Sequence, residues 1–132
     1  TVGHADIHMF MAQPRVAVDD VRHVSRLFKA LGDETRLKIV ALLAHGELCV
    51  CHVEEALALS QPAVSRHLSV LRATGVVEAH RDGTWVYYRL ARQPDDESER
   101  QLKAVVNAFR ARTGMKRELE RLMKVRGPGS CT

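Results

Sequence analysis

The spacing of apolar residues changes along the chain and divides it into helical and strand-like segments. Between residues 19 and 44, two runs place apolar side chains three or four positions apart, and Asp33 lies at the break between them. This spacing predicts two amphipathic helices, one over 19–30 and one from Glu34 to about Ala44, with Asp33 capping the second. A third, short helix is predicted over 50–58.

The segment "SQPAVSRHLSVLRATG" at 60–75 has the signals of a helix with sharp ends. Ser60 is a suitable N-cap, Pro62 falls in the first turn, where its missing N–H is not needed, and Gly75 can end the helix. Apolar residues occupy one face, and short polar or basic residues occupy the other. The sequence therefore predicts a helix with a polar face that is free to contact a partner.

From residue 76 onward the apolar spacing changes to two. The runs "VVEAH" and "WVYYRL" flank the turn "RDGT", which predicts a β-hairpin over 76–90. Residues 95–125 return to helical spacing and predict one long amphipathic helix, with Gly114 at a bend or close contact. We expect a mainly α fold with a small β-hairpin, arranged as a winged helix-turn-helix.

These elements divide the chain into four parts. We expect an N-terminal arm over 1–17, the winged helix-turn-helix domain over 18–93, a C-terminal dimerisation helix over 94–125 and a flexible tail over 126–132. A chain of 132 residues buries a modest core, and the apolar stripes of its first and last helices can be covered by a second copy. The protein is therefore expected to be a homodimer.

Composition and charge narrow the class of protein. Hydrophobic residues at 45% and charged residues at 27% fit one globular domain, and a net charge of +4 permits a nucleic-acid partner without requiring one. The longest aliphatic run, at 39–44, is far short of a membrane span, and the first ten residues lack the features of a secretory signal. Three cysteines are too few for a disulfide scaffold. We expect a cytoplasmic protein with free thiols and no membrane partner.

The order of helix, tight turn, helix and hairpin indicates DNA binding. In a winged helix-turn-helix, the second helix of the pair enters the major groove, where short polar and basic side chains reach base edges and phosphates. The helix over 61–73 has such a face, and the hairpin tip suits phosphate or minor-groove contact. The residues expected to contact double-stranded DNA are Ser60, Gln61, Ala63, Ser65, Arg66, His67, Ser69, Arg81, Thr84 and Arg89.

Three motifs within 27–90 carry a resemblance to a known family. They are "ALGDETRLKIVALL", "ELCVC", and "LSQPAVSRHLSVLRATGVV" followed by "RDGTWVYYRL". In these motifs the chain closely resembles the ArsR/SmtB family of bacterial metal- and metalloid-responsive repressors. The resemblance implies a homodimer that binds an operator when free of inducer and leaves it when the inducer binds.

The resemblance also implies where the inducer binds. In the arsenic and antimony sensors of this family the cysteine motif continues as "ELCVCDLC", so Cys49 and Cys51 are carried over as metal ligands. His52 and Glu54 stand where the Asp and the third Cys would be. Trivalent arsenic and antimony favour three soft thiolates. We therefore expect As(III) or Sb(III) as the inducer, with Cys131 of the tail, from the same chain or its dimer partner, as the third ligand.

Other ligands for the cysteine pair stay open. Cadmium, lead or another divalent soft metal is one alternative, with His4, Asp6 and His8 of the arm as further ligands. His52 can also ligate, although we expect it on the helix surface. Monomethylated arsenite needs only two thiolates. The family's zinc site between C-terminal helices is not expected, because residues 97–125 contain neither histidine nor cysteine.

Three further classes of protein are alternatives to a metalloid-responsive repressor. One is a winged-helix regulator whose cysteines are structural, since cysteine often packs as a small buried residue. Another is a redox sensor that forms a Cys49–Cys51 disulfide, although a ring with one intervening residue is expected to be strained. An enzyme is not expected, because the sequence contains no nucleophile–base pair and no phosphate-binding glycine loop.

The spacing of the two cysteines suggests how a ligand alters DNA binding. Residues i and i+2 of a regular helix point to nearly opposite sides, so both sulfurs can reach one ion only if the turn at 49–52 unwinds or the helix starts later. This helix adjoins the helix over 61–73. We expect inducer binding to distort residues 49–52, displace residues 61–73 and lower the affinity for DNA.

Overall fold

The computed structural model describes residues 18–110 and 115–125. The elements are α1 (Val18–Leu31), α2 (Glu34–Leu43), β1 (Leu48–Cys49), α3 (Val50–Leu57), α4 (Gln61–Ala73), β2 (Val77–Asp82), β3 (Trp85–Leu90), α5 (Asp96–Arg110) and α6 (Lys116–Val125). This order confirms the mainly α fold with a β-hairpin, in which α3, α4 and the hairpin form the winged helix-turn-helix. The expected arm over 1–17 and the expected tail over 126–132 lie outside the described residues.

Side-chain caps set where the central helices begin, as predicted. Asp33 is the N-cap of α2, and its carboxylate accepts a hydrogen bond from the backbone N–H of Arg36 at 3.0 Å. Ser60 caps α4 by accepting the N–H of Ala63 at 3.4 Å. Ala58, with φ of 55°, takes the left-handed conformation at the end of α3. The tight turn of the helix-turn-helix follows from this sequence of end and cap.

Helix α2 lies at the centre of the molecule. It contacts both helices of the helix-turn-helix, α3 and α4, as well as the two C-terminal helices and strand β3. Five consecutive residues at its C-terminal end are buried, namely Ile39, Val40, Ala41, Leu42 and Leu43. Burial on all sides explains why this segment reads as a continuous apolar run, and each large side chain contributes about 1.5–3 kcal/mol relative to its exposed state.

The hairpin predicted over 76–90 is present and belongs to a larger sheet. Strands β2 and β3 pair antiparallel, with Asp82 opposite Trp85 beside the turn. The short strand β1 adds to the other edge of β3 and gives the order β1-β3-β2. In this pairing Cys49 lies opposite Tyr87. A strand of two residues has no alternating pattern, so the sequence could not predict it.

The C-terminal segment contains two helices where the sequence predicts one. Helix α5 packs on α2, whereas α6 packs chiefly on α3. Two anchoring contacts fix α6: Arg121 Nε donates to the carbonyl of Ala56 at 2.9 Å, and Glu118 lies 3.5 Å from Lys38 Nζ. Helical periodicity is present on both sides of 111–114 and does not reveal the change of partner. None of the described helices is long and apolar enough to cross a membrane.

Candidate ligand site and nucleic-acid interface

The two cysteines lie where the sheet meets α3. Cys49 is the last residue of β1 and the N-cap of α3, with an extended backbone (φ −86°, ψ 165°). Cys51 is the second residue of the helix. Because the helix starts after Cys49, the two side chains need not diverge as i and i+2 residues of a helix do. Of the two geometries expected from the sequence, the structure therefore has the later start of the helix.

Cys49 and Cys51 are joined by a disulfide in this structure. Among the residues described, no cysteine is a free thiol. The ring expected to be strained is thus present, and the expectation of free thiols is not met in this state. A disulfide sulfur is not a thiolate, so ligand binding requires reduction of both cysteines. Cys131, the expected third ligand, lies outside the described residues.

His52 completes a cluster with the two cysteines. Its Nδ1 accepts a hydrogen bond from the backbone N–H of Cys49 at 3.3 Å and lies 3.4 Å from Cys49 Sγ. One ligand atom from each of the three residues lies within 4.8 Å of the others, the only such group within 18–110 and 115–125. The expectation that His52 lies on the helix surface is wrong, because only 9% of the residue is exposed. A residue at the third position of a helix can turn back towards the N-cap, as in a capping box.

A cavity of about 370 Å³ opens beside the cysteines. It is lined by Cys49, Val50, Cys51, Glu54, Gln61, Thr84, Trp85 and Val86. Its walls therefore come from residues 49–54, the first residue of α4, and the turn and first two residues of β3 in the hairpin. Two of these residues, Gln61 and Thr84, are among those expected to contact DNA.

Residues 47–49 contact the hairpin directly, and Cys49 also lines the cavity beside it. Besides the pairing of β1 with β3, Glu47 Oε1 lies 2.7 Å from His80 Nδ1 on β2. The ring of His80 stacks on Tyr87, with ring centroids 5.5 Å apart. A displacement of the segment that carries Cys49 would therefore be transmitted to the hairpin through backbone and side-chain contacts.

Most residues expected to contact DNA are accessible. The exposed ones are Ser60, Gln61, Arg66, Ser69, Arg81, Thr84 and Arg89, and Ala63 and Ser65 are partly exposed. Two of them have structural contacts as well. The side chain of Ser60 caps α4, and Arg89 forms an ion pair with Glu78 across the hairpin.

His67 has a different environment from the other residues expected to contact DNA. Its Nδ1 lies 3.8 Å from the carboxylate of Asp33 and 3.5 Å from Arg36 Nη1, and 26% of the side chain is exposed. The guanidinium of Arg36 also donates to the carbonyl of Ala30 at 2.6 Å. His67 therefore connects α4 to the start of α2 and the end of α1.

Asp33 is the charged centre of this connection. The hydrogen bond from the backbone N–H of Arg36 lowers the pKa of its carboxyl, and electrostatic interactions with Arg36 and His67 act in the same direction. Burial opposes these effects without reversing them. The carboxylate is thus held in its charged form, as a helix N-terminus favours.

Comparison with known proteins shows that the chain is similar to bacterial transcriptional regulators. A family model described as "Bacterial regulatory protein, arsR family" matches residues 33–79. An arsenic resistance transcriptional regulator of Pseudomonas putida is 48% identical over 83 residues, covering 62% of this chain and 65% of the relative. A homologue of a cadmium resistance transcriptional regulatory protein from Staphylococcus aureus is 39% identical over 92 residues, covering 69% and 73%. The chain thus spans less than two thirds of the Pseudomonas relative.

Solved structures with a similar fold include another regulator of this kind. A solution structure of the homodimeric winged helix-turn-helix DNA-binding domain of a possible ArsR-family regulator from Mycobacterium bovis superposes with a TM-score of 0.61. The two are 33% identical, and the match covers 74% of this chain and 88% of that domain. The elements that carry the cysteines and the accessible face of α4 therefore occur in a winged-helix scaffold.

Proposed function

Because the chain belongs to the ArsR family of bacterial regulatory proteins, we propose that it is a cytoplasmic repressor that As(III) or Sb(III) releases from operator DNA. It acts as a homodimer and as a regulator rather than an enzyme. The inducer binds the reduced thiols of Cys49 and Cys51. The observation that carries the proposal is the cavity beside these cysteines, whose walls include Gln61 and Thr84 at the DNA-binding surface.

Helix α4 reads the DNA in this proposal. Its accessible side chains include Gln61, which offers an amide to base edges, and Arg66, which offers a guanidinium to bases or phosphates. Arg81 and Thr84 at the hairpin tip add contacts to the backbone or minor groove. Phosphate contacts supply affinity and base contacts supply sequence preference.

Two thiolates form the centre of the ligand site. Soft thiolate sulfurs suit the trivalent metalloids, and Cys131 of the tail is proposed as the third donor. The sequence similarity to an arsenic resistance regulator supports this inducer. The identity to a cadmium resistance regulatory protein keeps a divalent soft metal as the alternative.

Ligand binding is coupled to DNA binding through the walls of the cavity. Formation of two bonds to sulfur draws Cys49 and Cys51 around the ion and displaces the end of β1. Since β1 pairs with β3 and the cavity reaches Gln61, the displacement changes the position of the hairpin relative to α4. A DNA surface built from both elements then loses its match to the duplex.

The homodimer is proposed to form through α1 and α5. An apolar groove between them is lined by Phe28, Leu31, Gly32, Leu37, Val105, Ala108 and Phe109. Phe28 is 47% exposed and lies in this contiguous apolar surface, which a second copy of the chain would cover. The homodimeric domain from Mycobacterium bovis supports this assembly. Two copies of α4 would then lie about one DNA turn apart.

The test is DNA release measured by fluorescence anisotropy. A labelled duplex is first selected from a random-sequence library by the protein reduced with a phosphine, which does not compete for arsenite as a dithiol would. Arsenite is then titrated into complexes of the wild type, Cys49→Ser, Cys51→Ser and Cys131→Ser. We expect arsenite to release the wild type from the duplex, whereas Cys49→Ser and Cys51→Ser stay bound.

The remaining outcomes separate the parts of the proposal. Release of Cys131→Ser like the wild type would exclude the tail as third ligand and leave a two-thiolate site. Release by Cd²⁺ but not by arsenite would make a divalent metal the inducer. Release of Cys49→Ser and Cys51→Ser by arsenite would refute the ligand site altogether.

The disulfide favours one second candidate, a regulator that responds to oxidation. In that reaction the two thiols lose two electrons and two protons to form the disulfide, and a peroxide is reduced to water. Peroxide would then change the DNA affinity of the wild type and leave Cys51→Ser unaffected. Equal affinities of the reduced and oxidised wild type would exclude this candidate.

A further inference from the structure

We propose that His52 is a metal ligand, so that Cys49, Cys51 and His52 form a two-sulfur, one-nitrogen site for a thiophilic divalent cation such as Zn²⁺ or Cd²⁺. The inference rests on the proposed function for the cysteine pair and adds a donor and a ligand class to it. The site is local to one turn of one chain and needs neither the arm nor the tail.

The distances fit one tetrahedral ion. Zinc bonds of about 2.3 Å to sulfur and about 2.0 Å to nitrogen place two such ligand atoms about 3.5 Å apart. Cys49 Sγ and His52 Nδ1 are 3.4 Å apart, and the ligand atoms of all three residues lie within 4.8 Å of one another. The three donors belong to four consecutive residues, so small side-chain rotations suffice to close the site.

The tautomer of His52 also suits a metal. A backbone N–H can only donate, so Nδ1 must present a lone pair to the N–H of Cys49. The imidazole therefore carries its proton on Nε2, and the atom near the sulfurs is the one able to coordinate. The contact from the Cys49 N–H is long at 3.3 Å, so exchanging it for a metal bond costs little.

Charge and burial favour a divalent ion. Cys49 is 2% exposed and His52 is 9% exposed, so two thiolates there need a compensating charge. A divalent cation neutralises both, while the neutral imidazole adds a donor without adding charge. Imidazole suits zinc and related ions, whereas trivalent arsenic prefers thiolates alone. The cysteine pair can thus bind arsenite without His52 and a divalent cation with it.

Loading of the site starts from the dithiol. A phosphine reductant supplies two electrons to the disulfide and becomes a phosphine oxide, and water supplies the oxygen and the two protons taken up by the sulfurs. On metal binding each thiol then loses its proton to solvent. No electron is transferred in that step.

The test compares metal binding by the reduced full chain and its His52→Gln variant. Glutamine is a preferred residue at the third position of a capping box, so this change keeps the cap and removes the imidazole. Co²⁺ reports the donor set through its absorption bands, and Cd²⁺ affinity is measured by competition with a chromophoric chelator. His23→Gln, which alters a histidine of α1 bonded to Gln93, is the matched control.

We expect His52→Gln to lower Cd²⁺ affinity at least about tenfold, since changes even beyond the first ligands cost 10–100-fold. Its Co²⁺ bands shift, whereas the Cd²⁺ affinity and Co²⁺ spectrum of His23→Gln match those of the wild type. His52→Cys restores a third donor and retains tight Cd²⁺ binding. Arsenite binding by His52→Gln stays within about twofold of the wild type, because that ligand binds thiolate sulfurs and not the imidazole.

Two results would overturn the role of His52. The first is that wild type and His52→Gln have equal Cd²⁺ affinities and equal Co²⁺ spectra. The second is that Cys131→Ser, rather than His52→Gln, loses Cd²⁺ affinity. In either case arsenite binding would still support the cysteine pair. A wild type that binds neither arsenite nor Cd²⁺ would refute the proposed function and this inference together.

Discussion

Asp33 connects three parts of the molecule through one carboxylate. It caps α2 by accepting the Arg36 N–H at 3.0 Å and lies near His67 of α4. We expect Asp33→Ala to lower the free energy of unfolding by about 1 kcal/mol, whereas Asp33→Asn, which keeps a capping oxygen, costs much less. Urea denaturation at neutral pH measures both. Equal losses for the two variants would show that capping is not the main contribution of Asp33.

The contribution of Asp33 to folding stability should depend on pH. The hydrogen bond from Arg36 lowers the pKa of Asp33 from its ordinary value of 3.8 in the folded state. A lowered carboxyl pKa contributes stability that is complete above the unfolded-state value and disappears as the pH falls through the folded-state value. The stability difference between wild type and Asp33→Ala should therefore shrink below pH 3.8. A difference that stays constant down to pH 2 would contradict the pKa shift.

Arg66 and Arg89 test the DNA surface at the level of single side chains. Both are exposed, but Arg89 forms an ion pair with Glu78 and is partly neutralised by it. We expect Arg66→Ala to weaken DNA binding at all sequences and to reduce the slope of log affinity against log salt by about 1, and Arg89→Ala to have a smaller effect. Anisotropy titrations at several salt concentrations measure both slopes. The reverse ranking would assign the phosphate contact to the hairpin.

At the scale of elements, the sequence predicts those helices whose ends have a chemical signal. Asp33 and Ser60 cap α2 and α4, and the Gly-containing turn identifies the hairpin. Strand β1 could not be predicted, because its two residues form a strand only by pairing with the distant strand β3 and show no local pattern. The division of the C-terminal segment into α5 and α6 escapes it because both helices carry the same periodicity.

The candidate site is predictable to a similar extent. Cys49 and Cys51 follow from the "ELCVC" motif. Two features of the site could not be predicted from the sequence: the burial of His52, and the cavity that Gln61 and Thr84 help to line. Both depend on how α3 packs against α4 and the hairpin, and the apolar spacing within one segment carries no information about that packing. His67 reads as a DNA contact because it lies on the polar side of α4, yet its neighbours are Asp33 and Arg36.

Helix α6 offers a test of the packing that supports the cysteine helix. Arg121 donates from Nε to the carbonyl of Ala56 at 2.9 Å, and Ala56 is fully buried in α3. We expect Arg121→Met, which keeps the aliphatic bulk, to lower the free energy of unfolding by about 1–3 kcal/mol because the carbonyl of Ala56 loses its donor. Arg117→Met, on the exposed side of the same helix, is the control. Equal denaturation midpoints for the two variants would mean that the hydrogen bond contributes nothing to stability.

At the scale of the whole molecule, the groove between α1 and α5 predicts the oligomeric state. A charge at Phe28, which is 47% exposed at this groove, should disrupt a dimer that buries it. We expect Phe28→Glu to sediment as a monomer at concentrations where the wild type is dimeric. Leu59→Glu, which changes an exposed apolar residue next to the N-cap of α4, should remain dimeric. A dimeric Phe28→Glu would place the interface elsewhere.

In the proposed mechanism, a ligand bound to Cys49 and Cys51 weakens the binding of DNA to α4. Linkage requires the effect to be reciprocal, so DNA must weaken ligand binding by the same factor by which the ligand weakens DNA binding. The most direct measurement is the arsenite affinity of the reduced protein, free and saturated with its selected duplex. We expect at least about a tenfold lower affinity in the DNA complex, within the usual range of coupling between sites. Equal affinities would contradict this coupling, because the cysteine site and the DNA surface would then be independent.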